Sequence, residues 1–497
     1  IDHLTGTIEA GKLGDLVLWD GHPFSIFSRT SAVLVEGRLA HERQGAAASR
    51  PTDFELATVP SPAPLEPAPS TLPEPTLPAG WATPPRAISP PAAKRADAGQ
   101  PLVIRGATVH TMTGAPINDG TVVVQGGLIT AVGGPEVASP KGARFINASD
   151  LVLTPGLVAA ETALGMVEIT MEPTARDHRP DGKRLPLVRA DLRAWEAINP
   201  HSTAIPVNRM EGFTTVIVRP FGGLISGQSA AYDLAGLRPE EMGLMGPLGV
   251  HVNLGIPGSH AAGGSRALAM MHLRRLLDAA RDLGKNKQAV KGRRFRDLGY
   301  PRTQLLPLVP VVEGRIPLVV RVDRAVDILD VLRLAAEQKV RLVLSGAAEG
   351  WRVAHDIARA KVPVLVAVDR NLPLSYDALA SRYDNAARMH RAGVVLGLSA
   401  DGQAHNIRFL RQEAGLAAAW GLPRQAALAA LTRNPAAIFG LTDRGVIKPG
   451  ARANLVLWTA DPLELSTRVK QLFIAGQEVP LRSRQTELLQ RYLQLDR

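Results

Sequence analysis

Cysteine is absent from all 497 residues, which excludes disulfides and thiolate-bound zinc. Aromatic residues are scarce, at 4%, too few for a platform on which bases stack. No apolar run reaches the roughly 18 residues that a membrane-crossing helix needs. Histidine occurs 12 times, yet no two histidines stand two residues apart. Side chains at i and i+2 share one face of a strand, so no strand of this chain can present a side-by-side imidazole pair to a metal. The chain opens Ile1-Asp2-His3-Leu4, with neither Met nor the basic-then-apolar pattern of a signal peptide. We therefore expect it to start inside a longer polypeptide.

Hydrophobic content of 45% and charged content of 21% are those of an ordinary globular chain. The net charge is +11. Part of it sits in residues 285–302, with seven Lys or Arg against one Asp. No nucleic-acid motif accompanies this run, so we expect a solvated basic loop and no nucleic-acid partner.

An internal repeat sets the domain plan. Gly6-Thr-Ile-Glu-Ala-Gly11, Asp15-Leu-Val-Leu-Trp19, Pro23 and Gly37 recur as Gly445-Val-Ile-Lys-Pro-Gly450, Asn454-Leu-Val-Leu-Trp458, Pro462 and Gly476, at a constant offset of 439. Each copy predicts two or three strands joined at glycine turns. Residues 46–100 hold about a third of the prolines and show no apolar periodicity, which predicts an extended or disordered linker. Strand signals follow at Leu102-Val-Ile-Arg-Gly-Ala-Thr-Val-His-Thr, Thr121-Val-Val-Val-Gln-Gly-Gly-Leu-Ile-Thr-Ala-Val-Gly and Asp150-Leu-Val-Leu-Thr-Pro-Gly.

Between 154 and 439, short apolar runs alternate with helical stretches, the pattern of a (β/α)8 barrel. Runs beginning at Thr214, Gly249, Ile316, Val340, Val362 and Gly393 predict buried parallel strands. Helices are expected near 267–283, 325–338, 349–360, 404–420 and 424–431, and a short amphipathic helix over 484–497. The Gly222-Gly-Leu-Ile-Ser-Gly-Gln228-Ser segment reads as a tight loop without phosphate-loop spacing.

Together these segments resemble the amidohydrolase superfamily, in its imidazolonepropionase-like branch. The resemblance rests on Thr154-Pro-Gly-Leu-Val-Ala-Ala-Glu161-Thr-Ala163-Leu-Gly at the first barrel strand, on Thr432-Arg-Asn-Pro-Ala-Ala-Ile-Phe-Gly after the last helix, and on both repeat copies. It implies an α/β fold with a TIM-like barrel (154–439) and a small composite β-sandwich built from 101–153 and 440–481. It also implies that 1–45 is the end of an upstream amidohydrolase unit, followed by the linker 46–100 and, last, by the helix 482–497. Members hydrolyse C–N bonds with water activated by one or two divalent metals.

The metal-holding slots are changed. Where the resemblance implies His-x-His, the chain has Glu161 and Ala163. The fourth strand, His251-Val-Asn253, offers no bridging acid or lysine. Arg321 and Asp323 stand in the strand-five pattern, and Gly346 stands at the strand-six histidine, three residues before Glu349. Only the strand-eight aspartate survives, as Asp401, the one candidate catalytic residue. Arg321, Asp323, Arg324, Glu161, Glu349 and His405 are candidate pocket residues. For Asp401 the alternative is a cap on the following helix, and for His251 and Asn253 a polar layer inside the barrel.

The leading expectation is a barrel that has lost its metal site, needs no cofactor, and acts as a non-catalytic partner of the upstream unit. One alternative is an active hydrolase with Zn, Mn or Mg rebuilt on Glu161, Asp323 and Asp401. Another is a binding module that holds a small anion on Arg321 and Arg324. The resemblance also implies self-association and a periplasmic or secreted setting.

Overall fold

A computed structural model describes residues 3–43, 74–81, 84–88, 100–180, 187–286, 299–370 and 372–493. Most of the linker, the centre of the basic run and residues 494–497, where the C-terminal helix was expected to continue, lie outside these. No described helix is long and apolar enough to cross a membrane.

The N-terminal segment folds as a three-stranded antiparallel sheet of β1 (Leu16–Trp19), β2 (Thr30–Val35) and β3 (Arg38–Glu42). A second, mixed sheet contains β4 (Leu102–Val109), β5 (Ile117–Gln125), β6 (Leu128–Gly133), β7 (Arg144–Asn147) and β8 (Val152–Pro155).

The barrel strands are β9 (Leu157–Thr162), β10 (Phe213–Val218), β11 (Ile225–Gln228) with β12 (Ala230–Asp233), β13 (Val250–Asn253), β14 (Leu318–Val322), β15 (Leu342–Gly346), β16 (Val364–Val366) and β17 (Leu396–Leu398). β9 and β10 pair in parallel, as do β13 to β17 in succession. A parallel bridge from Ala160 to Ser399 closes the ring. The six strands expected from the apolar runs are all present. One member is not parallel: the stretch 225–233 runs antiparallel to both β10 and β13. The segment read as a loop is thus a turn at Gly222–Gly223, both at positive φ, followed by a buried strand. Its glycines masked the strand signal, since glycine weakens strands and marks close backbone approach.

After the barrel come β18 (Leu455–Trp458), β19 (Val469–Ile474) and β20 (Gln477–Glu478). β18 lies against β8, with Trp458 opposite Val152 and Leu455 opposite Pro155. Both ends of the unit therefore share one eight-stranded sheet. Trp458 is fully buried, and its Nε1 donates to Thr154 Oγ1 at 2.9 Å. A Cβ on Gly212 would collide with its ring.

Residues offset by 439 pair alike. Leu16 faces Leu34 and Trp19 faces Thr30, as Leu455 faces Phe473 and Trp458 faces Val469. The turn bonds match as well. Asp15 Oδ1 accepts from Glu36 N (2.7 Å), and Asn454 Oδ1 accepts from Ala475 N (2.8 Å).

The barrel interior holds an apolar cluster that includes Val158, Ile217, Val319, Val343, Leu365 and Phe439. Leu77 and Trp81, from the proline-rich stretch, pack against it at the N-terminal end of the strands. Trp81 Nε1 donates to Ile438 O at 3.2 Å, and Glu74 pairs with Arg433 at 2.6 Å. The described part of the linker is extended, as its composition suggests. It nevertheless gains tertiary contacts, because two large apolar side chains there find a ready-made core. The expected helices appear with boundaries shifted by a few residues; that near 404 begins as a 3-10 turn at His405–Phe409 and continues as Leu410–Ala419.

Candidate functional site

Parallel strands bring their C-terminal ends to one mouth, where barrel enzymes carry reacting groups. Here Glu161 comes from β9, Arg219 follows β10, His251 lies on β13, Ser345 on β15, and Ser399 follows β17. Their side chains converge. Glu161 is fully buried. Ser345 and Ser399 donate to its Oε2 at 2.6 and 2.7 Å. Arg219 Nε lies 3.1 Å and His251 Nδ1 3.6 Å from its Oε1. Phe221 covers this pair, with the Arg219 guanidinium 3.8 Å from its ring centre.

The electrostatics follow from burial and pairing. Burial alone would raise the Glu161 pKa. Arg219 foremost, then His251 and Ser345, overcome it and hold the carboxyl at about 2. Burial brings Arg219 down to about 10, against the pull of Glu161. Burial, with Arg219 nearby, pushes His251 down to about 4 although Glu161 favours its charged form. At neutral pH the cluster is one anion, one cation and a neutral imidazole. Glu161 also adopts a left-handed backbone (φ 57), a conformation costly for a non-glycine residue and frequent at functional sites.

A second group surrounds Asp401. Its carboxylate pairs with Arg321 and, at 2.7 Å, with Arg370 Nη2. Asp323 lies 3.5 Å from Arg321 Nε and accepts from Ala348 N at 3.2 Å. A side chain on Gly346 would collide with Asp323 and come within 2.9 Å of Arg321 Nε. The arginine and aspartate thus fill the space beside Gly346, the position where the resemblance implies a histidine.

Asp401 is not a helix cap. Its backbone is left-handed (φ 43), its N–H donates to Ser399 Oγ at 3.1 Å, and the next helix starts at His405. Three other candidates belong elsewhere. Glu349 accepts from Ala325 N (3.0 Å) and Ala380 N (3.1 Å), fastening the start of the helix Ala325–Gln338 to the loop at Ala380. Arg324 turns to Asp327, Nε to Oδ2 3.4 Å. His405 is exposed on its short helix. His251 is part of a polar layer, as expected. Asn253 donates to Gly223 O (2.8 Å) and Ser226 Oγ (2.9 Å).

Glu161, Asp323 and Asp401 do not form a three-carboxylate site. Among the described residues no group of three His, Asp or Glu is gathered closely enough to hold a metal. The reason is arginine: Glu161 is matched by Arg219, and Asp323 and Asp401 by Arg321 and Arg370. A divalent ion on Glu161 would sit about 4 Å from a buried guanidinium, a repulsion of roughly 8 kcal/mol at an effective dielectric of 20. The donors at this mouth do not fit a divalent metal. Arg321 and Arg324 are each engaged by aspartates and turn to different ones, so the structure does not bring them together as a pair.

Sequence reasoning missed Arg219, Arg370, Ser345 and Ser399. Arg219 had a readable signal: an arginine directly after five apolar or β-prone residues at a strand's C-terminal end. The serines had none, because a buried serine looks like any small core residue until its acceptor is known.

Residues 256–479 match the amidohydrolase family, so the chain carries an amidohydrolase-family domain. Among solved structures, an amidohydrolase from Thermotoga maritima MSB8 is similar over 77% of this chain and 100% of its own, with 25% identity and a TM-score of 0.70. A prolidase complexed with N-methylphosphonate-L-proline shows 16% identity and a TM-score of 0.48 over 76% of this chain and 99% of its own. A molinate hydrolase shows 19% and 0.47 over 78% and 96%. The last two are similar in outline only. No curated protein matches.

Proposed function

We propose that this chain is an amidohydrolase-family barrel whose metal position is filled by the Glu161–Arg219 ion pair. In this reading it serves as a non-catalytic partner of an amidohydrolase unit that precedes it in the same polypeptide. The reading is supported by one observation above all: the carboxylate at the first strand's end is sealed by an arginine, two serines and a neutral histidine. The composite sheet is read as the family's small β-sandwich, the branch as the imidazolonepropionase-like one, and residues 1–45 as the end of the preceding unit.

A second reading, an active hydrolase rebuilt on the carboxylates, has His251 in its favour. Its buried Nε2 has no hydrogen-bond partner among the described residues. Elemental analysis of the purified chain, paired with turnover of amide and cyclic-amide substrates, separates the two. The proposal expects substoichiometric metal and no turnover. Stoichiometric Mn, Mg or Zn that is lost on Asp401→Ala, together with turnover, would sink it.

A further inference from the structure

The contact between the N-terminal sheet and the main body has an unexpected address. Ser25 Oγ donates to Glu464 Oε1 at 3.1 Å, and the two residues are 439 apart in sequence. That separation is the repeat offset, so each residue meets its own counterpart. Equal units related by a two-fold axis do this where they touch on the axis, and each off-axis contact then occurs twice.

One set of the off-axis contacts is present. Ile26 sits directly on Gly415, where a Cβ would collide with its Cδ1. Arg29 lies 4.3 Å above the Trp420 ring. The reciprocal set would use the counterparts of Ile26 and Arg29, namely Leu465 and Arg468. Both are exposed, Leu465 at 41%.

We infer that the loop 461–468 is half of a pseudo-two-fold interface, and that Leu465 and Arg468 receive a second barrel of this fold, the one whose closing strands are residues 16–42. The partner presents to them the helix that matches Leu410–Ala419 and the position that matches Trp420. This rests on reading 1–45 as the end of a second unit and adds its geometry. The occupant is fixed by continuity: the half-interface already made belongs to that unit's own strands, and a rigid two-fold places its barrel over Leu465. β1 supports the same occupant, since its apolar side chains lack the cover that β18 receives from β8 and the barrel.

The absence of cysteine makes thiol trapping clean. In the full chain carrying Ser25→Cys and Glu464→Cys, mild oxidation should form an intrachain disulfide, lost when Ile26→Glu is added. Failure to form it, or formation mainly between chains, overturns the inference and leaves the second-unit reading standing. The second measurement uses residues 44–497. Among the described residues, the strands of 3–43 pair only with one another, so this truncation leaves the barrel and its eight-stranded sheet whole. With the Gly415 face uncovered, two such copies stand in for the two units, and Glu464 lies on the axis. Glu464→Cys should then give a disulfide-linked dimer, which Leu465→Glu abolishes and which a control cysteine at Lys470 does not form. A truncated chain that stays monomeric, or whose dimer ignores Leu465→Glu, overturns the two-fold arrangement. Amide exchange as slow at Leu16–Trp19 as at Leu455–Trp458 would remove the second-unit reading itself, and the inference with it.

Discussion

The same four residues, Leu-Val-Leu-Trp, occur in β1 and in β18, in the same register with their hairpin partners and with an equivalent turn bond beside them. Their surroundings are opposite. Val17, Leu18 and Trp19 are 45%, 56% and 43% exposed, whereas Val456, Leu457 and Trp458 are fully buried. Local sequence suffices for strand, turn and register. It does not make a core, because a core needs a second surface. For β18 that surface is β8, Thr154 and Gly212. The energy at stake is not small, since burying one large apolar side chain contributes about 1.5–3 kcal/mol.

The largest effects should come from taking the buried member away. Trp458→Ala removes a filled volume and leaves Thr154 without its donor, so a loss of about 3–5 kcal/mol is expected. Trp19→Ala should cost no more than ~0.5 kcal/mol, as surface substitutions do. Urea unfolding of the two variants measures both. Equal losses would mean that β1 is covered in solution.

Charge gives a parallel contrast. Arg219 and Glu161 are both buried, whereas Arg43 and Asp20 form an exposed pair at 3.1 Å in the N-terminal sheet. Arg219→Met strands a buried carboxylate and should cost about 3–5 kcal/mol, much of it regained when Glu161→Gln is added. Arg43→Met should cost under ~1 kcal/mol. Acid should act on the buried cluster in two windows. The Glu161 pKa is depressed from 4.5 to about 2, so its stabilisation is complete above pH 4.5 and lost as pH falls toward 2. The His251 pKa is depressed from 6.5 to about 4, so the unfolded chain gains the proton first and stability falls as pH drops from 6.5 to 4. His251→Phe should make the upper window shallower and, because His251 also helps hold the Glu161 carboxyl down, narrow the lower one in melting temperature against pH.

The alternation of apolar runs and helical stretches told the barrel, because buried parallel strands are continuously hydrophobic. The strand at Ile225–Gln228 was hidden, because its glycines read as a turn. At the mouth, the departures from the resemblance were legible: Glu161, Ala163 and Gly346 stand where it implies imidazoles. Replacements were not. Whether Glu161 would meet a metal, Arg219 or Arg321 depends on which side chains the closed ring brings together, and no spacing along one strand encodes that. Glu349 and Arg324 looked equivalent to Arg321 in sequence, yet only Arg321 turns into the mouth.

An intermediate effect is expected where the copies differ. Asn454 Nδ2 donates to Asp233 Oδ1 (3.1 Å) and Thr215 Oγ1 (3.2 Å), beside Arg444 and Arg452. The N-terminal copy carries Asp15 at this place. Asn454→Asp would set two carboxylates against each other in a buried network and lose both donated bonds, for about 2 kcal/mol. Asp15→Asn should be silent in the same unfolding experiment. A silent Asn454→Asp would show that the paired arginines can hold two acids.

The smallest effect should fall on Leu18. Leu18→Lys places a charge on a face that is already more than half exposed, so the denaturation midpoint should not move. What should change is the stickiness of that face, because contiguous exposed apolar surface marks binding or aggregation. The variant should bind less of a hydrophobic dye and stay dispersed at higher concentration than the parent. The equivalent Leu457→Lys would bury a lysine between two sheet neighbours and prevent folding. If Leu18→Lys instead lowers the midpoint, then some part of this chain covers β1 in solution, and the two Leu-Val-Leu-Trp strands differ less than their exposures indicate.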